Sequence, residues 1–134
     1  MTAIKIQTQL DYIPIQLGDE EFRFYITDDS VLKIRNGYEE VQKKYNLIEK
    51  QAKKEGLTEE EQIEKTKEIL KEGFDFFYGE GTFERVYAIS PSVFICLQYF
   101  SQFMEATLAE VEKKTKVTTQ DKAKKYLANK NKKK

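Results

Sequence analysis

The sequence contains no histidine and no tryptophan, one cysteine and only two prolines. Without histidine the chain lacks the commonest general base, a common metal ligand and the side chain that titrates nearest neutral pH. With Cys96 alone, no internal disulfide can form and no zinc site can be assembled from thiolates. Cys96 sits in the apolar run SVFICLQYF, where a thiol reads as a small buried hydrophobe. A lone cysteine with no signal-type amino terminus fits a reducing cytoplasm. Long hydrophobic runs are missing too. The longest stretch free of Asp, Glu, Lys and Arg, Val86 to Met104, is interrupted by Ser90, Pro91, Ser92, Gln98, Ser101 and Gln102, which makes it too polar to span a bilayer.

Catalytic motifs are equally scarce. No Gly-x-Ser-x-Gly, Walker-type or dinucleotide-binding pattern occurs. The one Gly-x-Gly, Gly79-Glu80-Gly81, follows a predicted helix, not a strand, and lacks both a following Lys-Ser/Thr and a third glycine. It reads as a helix break. Carboxylates are grouped at Asp19 to Glu21, at Asp28 and Asp29, and at Glu59 to Glu61, each at a predicted turn or helix start. Acids favour the positive end of the helix dipole there, and none has calcium-loop spacing. The expectation is a protein with no catalytic residue, no metal site and no cofactor, and therefore not an enzyme.

What the chain does have is core material. Of 134 residues 40% are hydrophobic and 13% aromatic, enough to enclose one domain despite 34% charged residues. Positive and negative residues balance at 23 each, yet they are unevenly placed. Residues 1–112 carry 13 basic and 22 acidic residues, a net −9, whereas 113–134 carry ten lysines and one acid, a net +9. The expected organisation is a single domain over 1–112 and a basic, partly helical tail over 113–134, with Ala123, Tyr126 and Leu127 as the apolar face of a short helix from Thr119. Such a tail binds an acidic partner, folds on its own body or stays solvated. Nucleic acid is disfavoured, because the tail has no arginine and one aromatic, Tyr126, and the acidic body repels DNA.

Periodicity supplies the fold. Around GDEE, Ile13, Ile15 and Leu17, then Phe22, Phe24 and Ile26, alternate with more polar neighbours, so a β-hairpin is predicted, with Pro14 placing its strand at an edge. A helix starting at TDDS follows, with Val31, Ile34, Tyr38, Val41, Tyr45, Ile48 and Ala52 on one stripe, Gly37 as a weak point, and Gly56 as its carboxyl-terminal cap. Thr58 and Glu61 form a capping box for a second helix through Ile63, Thr66, Ile69, Leu70 and Phe74, which Gly79 and Gly81 end. TFERVYAI reads as a short turn. Ser90 and Pro91 then open a third helix, with Val93, Leu97, Phe100, Met104, Leu108 and Val111 on its stripe, and Phe94, Tyr99 and Phe103 widening it. This helix belongs in the middle of the domain, and Leu97→Ala is expected to be damaging. The fold class is α+β, mainly α, a hairpin packed on three to four helices.

Phe74, Phe76, Phe77 and Tyr78 come too close together to share one helix face, and Phe83 and Tyr87 follow. Some of them therefore pack inside and others stay available to a partner. The order of features, IPIQLGDEEFRFYITDDS, a long charged helix, then GFDFFYGEGTFERVYAISPSV and an apolar helix, resembles the tail assembly chaperones of long-tailed phages and prophages of Gram-positive bacteria. The resemblance covers roughly residues 13–114. It implies a non-enzymatic protein that coats the tape measure protein, keeps it soluble and helps tail tube subunits assemble, in part through a frameshifted longer form. It also implies action in the bacterial cytoplasm and absence from the mature virion, with self-association left open. Phe76, Phe77, Tyr78, Phe83 and Tyr87 are the expected contact residues. The competing readings are a structural virion component, such as a head-tail connector, and a small nucleic-acid-associated regulator acting through the lysine-rich tail.

Overall fold

The hairpin forms where the alternation places it. In the computed structural model, which describes residues 2–8 and 10–132 and the side chains as far as Thr115, strand β1 (Tyr12–Leu17) pairs antiparallel with β2 (Glu20–Tyr25). Gly18 takes φ +61° at the first position of the two-residue turn, which a side chain resists and which matches the right-handed twist of a hairpin. Ile13 lies opposite Phe24 and Ile15 opposite Phe22, so one face is apolar. The other carries Tyr12 and Tyr25, with ring centroids 5.7 Å apart and the Arg23 guanidinium 4.5 Å over Tyr12.

Both edges of this small sheet are partly obstructed. The Ile26 N–H donates to the Asp11 carbonyl at 2.9 Å, so in the alternating antiparallel pattern Glu21, Arg23 and Tyr25 turn their backbone groups away from β1. Arg85 donates to the Glu21 carbonyl at 3.0 Å, and Ser30 Oγ donates to the Tyr25 carbonyl at 2.8 Å. On β1 the outward positions are Tyr12, Pro14 and Gln16, and the central one, Pro14, has no N–H to offer.

Helix α1 (Asp28–Glu55) begins at Thr27, whose side chain accepts from the Ser30 N–H while Ser30 Oγ accepts from the Thr27 N–H. It ends at Gly56 in the left-handed conformation. Helix α2 (Glu59–Tyr78) starts with the expected Thr58–Glu61 capping box. It runs antiparallel to α1, with Lys44 Nζ 3.2 Å from Glu72 and Lys65 Nζ 3.1 Å from Gln51. TFERVYAI is not a turn but helix α3 (Thr82–Ile89). Its exposed first N–H groups find a partner in α2, where Asp75 Oδ1 accepts from the Phe83 N–H at 3.0 Å, and Phe83 and Val86 are buried beneath it.

Helix α4 (Val93–Lys132) starts later than Ser90-Pro91 implies. Ser90 is occupied in ending α3, where its N–H donates to the Val86 carbonyl, so Ser92 takes the capping role through Ile95 N–H and Cys96 N–H. The backbone of α4 continues across Glu112 and Lys113, so the change of charge there is not a boundary between elements, and no short helix begins at Thr119. The apolar face expected of Ala123, Tyr126 and Leu127 and the lysines around it lie outside the described side chains.

The core is aromatic and centred on Phe74, fully buried, with Phe100 and Phe103 edge-on to it at 5.0 and 5.4 Å. Phe22 and Phe24 bring the hairpin to Phe103 and Tyr78. Along α4 the enclosed positions are Val93, Cys96, Phe100, Phe103, Met104, Thr107 and Val111, whereas Leu97 and Leu108 are half-buried at the margin of the core. Truncating Leu97 is correspondingly milder than its place in the stripe implies.

Gly37 and Gly73 set how closely the helices approach. A Cβ on Gly73 would lie 2.9 Å from Phe100 Cε1 and 3.3 Å from Val41 Cγ2, and one on Gly37 would meet the end of the Phe77 ring and Met104 Cε. Phe100 is locked in the core, while Phe77 is half-exposed and Met104 is flexible. Gly73→Ala should therefore destabilise the fold by about 1–3 kcal/mol in urea unfolding. Gly37→Ala should cost less, because the half-exposed Phe77 ring can swing outward, whereas the helix propensity that alanine regains, up to about 1 kcal/mol, is the same at both positions.

Candidate functional site

The five aromatics expected at a partner surface do not share one. With Phe74 pointing inward, each further residue of α2 rotates by about 100°, so Tyr78 returns to the core side and Phe76 points the opposite way. Tyr78 is buried, and its hydroxyl pairs with Thr107 Oγ1 at 2.8 Å. Phe83 is buried against Phe74. These two are corrections to the expected contact set: both are core residues, inaccessible to a partner while the domain is folded. Tyr87 is half-buried, stacked on Phe83 with ring centroids 5.6 Å apart and covered by Lys67 Nζ at 4.7 Å. It belongs to the α2–α3 side, beside the Lys71–Glu84 pair at 2.8 Å, where the lysine lowers the pKa of the Glu84 carboxyl.

Phe76 and Phe77 remain together. Their rings meet edge-on at 4.8 Å, Phe76 is 53% exposed, and both line a groove of about 320 Å³ between α1 and α2. Its floor is apolar: Gly37, Val41, Ile69 and Gly73, with the half-buried Phe77. The glycines that bring the helices together leave no side chain over the cleft. Leu32 is 68% exposed at one end, and Leu47 is 57% exposed further along α1. Charge borders the groove, with Lys44 bonded to Glu72 across it and Lys33 Nζ 4.9 Å over the Phe76 ring.

Leu32 and Leu47 were missed from sequence because they lie off the seven-residue stripe of α1. A leucine on the polar side of an amphipathic helix was the available signal. The grouped carboxylates of the first turns, Asp28 and Asp29 on α1 and Glu59 to Glu61 on α2, sit at helix amino termini. Among the described residues no group of three or more His, Cys, Asp and Glu is placed to hold a metal ion. No helix among them is long and apolar enough to cross a membrane. Cys96 is buried, and burial raises the pKa of its thiol.

Tyr78 gives this region a measurable signature. Burial raises its phenol pKa well above the ordinary value near 10, so the folded state retains the proton that the unfolded chain releases. The contribution of the neutral phenol is present below about pH 10 and is lost as pH rises above it. Tyr78→Phe should lower stability at neutral pH by about 1 kcal/mol, through the unpaired Thr107 hydroxyl, and should flatten the decline above pH 10 in denaturant titrations.

The chain belongs to a family of unknown function (DUF6673), which matches residues 18–134. The match takes in β2 and all four helices. No curated protein and no solved structure gives a significant match.

Proposed function

We propose that this member of the family is a non-enzymatic assembly chaperone of a long-tailed phage or prophage. It holds the tape measure protein in solution and promotes polymerisation of the tail tube around it. The observation that carries the reading is the α1–α2 groove, with its apolar floor, exposed Phe76 and Leu32, and charged borders. A long apolar helical client presents anchors at every third or fourth residue, and a groove between two helices is the shape that takes such anchors. The borders leave charge facing water once the groove is filled, which keeps a coated client soluble. The sequence resemblance supports the same reading and supplies its partners: the tape measure protein directly, and the tail tube protein through a frameshifted longer form. The work is done in the bacterial cytoplasm, and the chaperone is absent from finished virions.

Within this proposal the contact set is Phe76 and Phe77 with Leu32, and it excludes Tyr78 and Phe83. Coexpression with the tape measure protein should keep that client soluble. Leu32→Glu with Phe76→Glu, both exposed, should weaken binding by about tenfold or more and reduce the soluble client accordingly, with an unchanged circular dichroism spectrum. A client equally insoluble with and without the wild-type chain would overturn the reading. Full activity of the double variant would move the site away from the groove.

A further inference from the structure

The two sides of the groove carry opposite charge. Along this face of α1, Lys33, Lys43, Lys44 and Lys50 outnumber Asp29 and Glu40, and along α2, Glu61, Glu68 and Glu72, at helical spacings of seven and four, outnumber Lys65; within one copy Lys33 pairs with Asp29 and Lys44 with Glu72. All of these except the half-buried Lys65 are exposed. Leu32, Leu47 and Phe76 lie exposed on the same face. A surface with an apolar centre, one basic bank and one acidic bank is complementary to a surface of the same composition turned around.

We infer that this face pairs with the same face of a second copy of the chain, about a two-fold axis running along the groove. Symmetry decides the axis. A two-fold axis across the groove would lay lysine bank on lysine bank, which is repulsive. An axis along the groove exchanges the banks, so α1 of each copy lies over α2 of the other and the two helix pairs stack as an antiparallel four-helix bundle. The level of each residue is set by pairs within one copy: Lys44 stands beside Glu72, and Gln51 beside Lys65. Lys43 therefore meets Glu72 of the second copy, and Lys50 meets Glu68 of the second copy. Leu47 and Phe76 of both copies are covered in the same event.

Strand addition is impeded on both sides of the hairpin, because Pro14 removes one N–H from the β1 edge and Arg85 and Ser30 occupy the Glu21 and Tyr25 carbonyls on the β2 edge. The inference concerns the chain alone and does not rest on the chaperone reading. If both hold, client and second copy compete for one groove, and the paired form keeps the groove covered until client arrives.

Sedimentation equilibrium of the full chain at micromolar concentration should give twice the mass of one chain. Lys43→Glu/Lys50→Glu makes both banks acidic, and Glu68→Lys/Glu72→Lys makes both basic. Each variant alone should sediment as a single chain, its dissociation constant raised by about a hundredfold or more. Mixed in equal amounts, the two should restore a dimer with one copy of each, which also demonstrates that both are folded. A wild-type chain that stays at single mass overturns the inference, as does either variant dimerising like wild type or a mixture that fails to associate. These outcomes are read without client, so they stand apart from the coexpression result.

Discussion

The structure depends on one close approach. At Gly73 and Phe74, helix α2 comes against α1 and α4 closely enough that the Phe74 ring sits edge-on to Phe100 and Phe103. A two-stranded hairpin is marginal in water, and this cluster is what it lies on, through Phe22 and Phe24. Edge-on rings gain about 0.5–1.5 kcal/mol per pair beyond area burial, and here ring pairs join β2, α2, α3 and α4. Glycine at 73 is the condition for it, since any side chain there enters the space Phe100 fills.

Fixing Phe74 inward fixes much else. The rotation of α2 sends Tyr78 to Thr107 and Phe76 to solvent, so one packing choice yields both a satisfied buried hydroxyl and an exposed ring. The same approach of α1 and α2 opens the groove, because Gly37 and Gly73 contribute no side chain to its floor. Meanwhile Pro14 removes one N–H from one edge of the hairpin, and Ser30 of α1 and Arg85 of α3 occupy two carbonyls on the other. The domain thus impedes strand-mediated contacts and leaves apolar side chains uncovered between two helices, as it also does at Ile89, Phe94 and Ile95 where α3 passes to α4.

Local rules were legible in the sequence wherever a residue acts on its own neighbours. The Gly18-Asp19 turn, the Thr58–Glu61 capping box, the Gly56 cap and the hydrophobic alternation of both strands all depend on residues a few positions apart. What was not legible depends on distant partners. Helix α3 is supported by Asp75 from α2, Thr107 is inside because Tyr78 needs its hydroxyl, and Gly37 reads as a weakness until Phe77 and Met104 are seen against it. Four aromatics within five residues could not be divided between core and surface without knowing which of them faced inward. Once Phe74 is placed, helical geometry alone assigns the others.

The exposed residues carry the remaining argument. Leaving Phe76, Leu32 and Leu47 in water forgoes roughly 1.5–3 kcal/mol apiece of the stabilisation that full burial would give. Polar residues at those positions would cost the isolated fold nothing, since none of the three belongs to the core cluster. The neighbouring charges are unevenly placed as well: on the face that borders the groove lysines outnumber acids along α1, and glutamates outnumber lysine along α2. Separated banks on either side of an apolar cleft orient whatever binds there, because a partner set the wrong way round meets like charge along its length. Orientation of a bound helix or of a second copy is thus written into the same two helices whose contact at Gly73 holds the domain together.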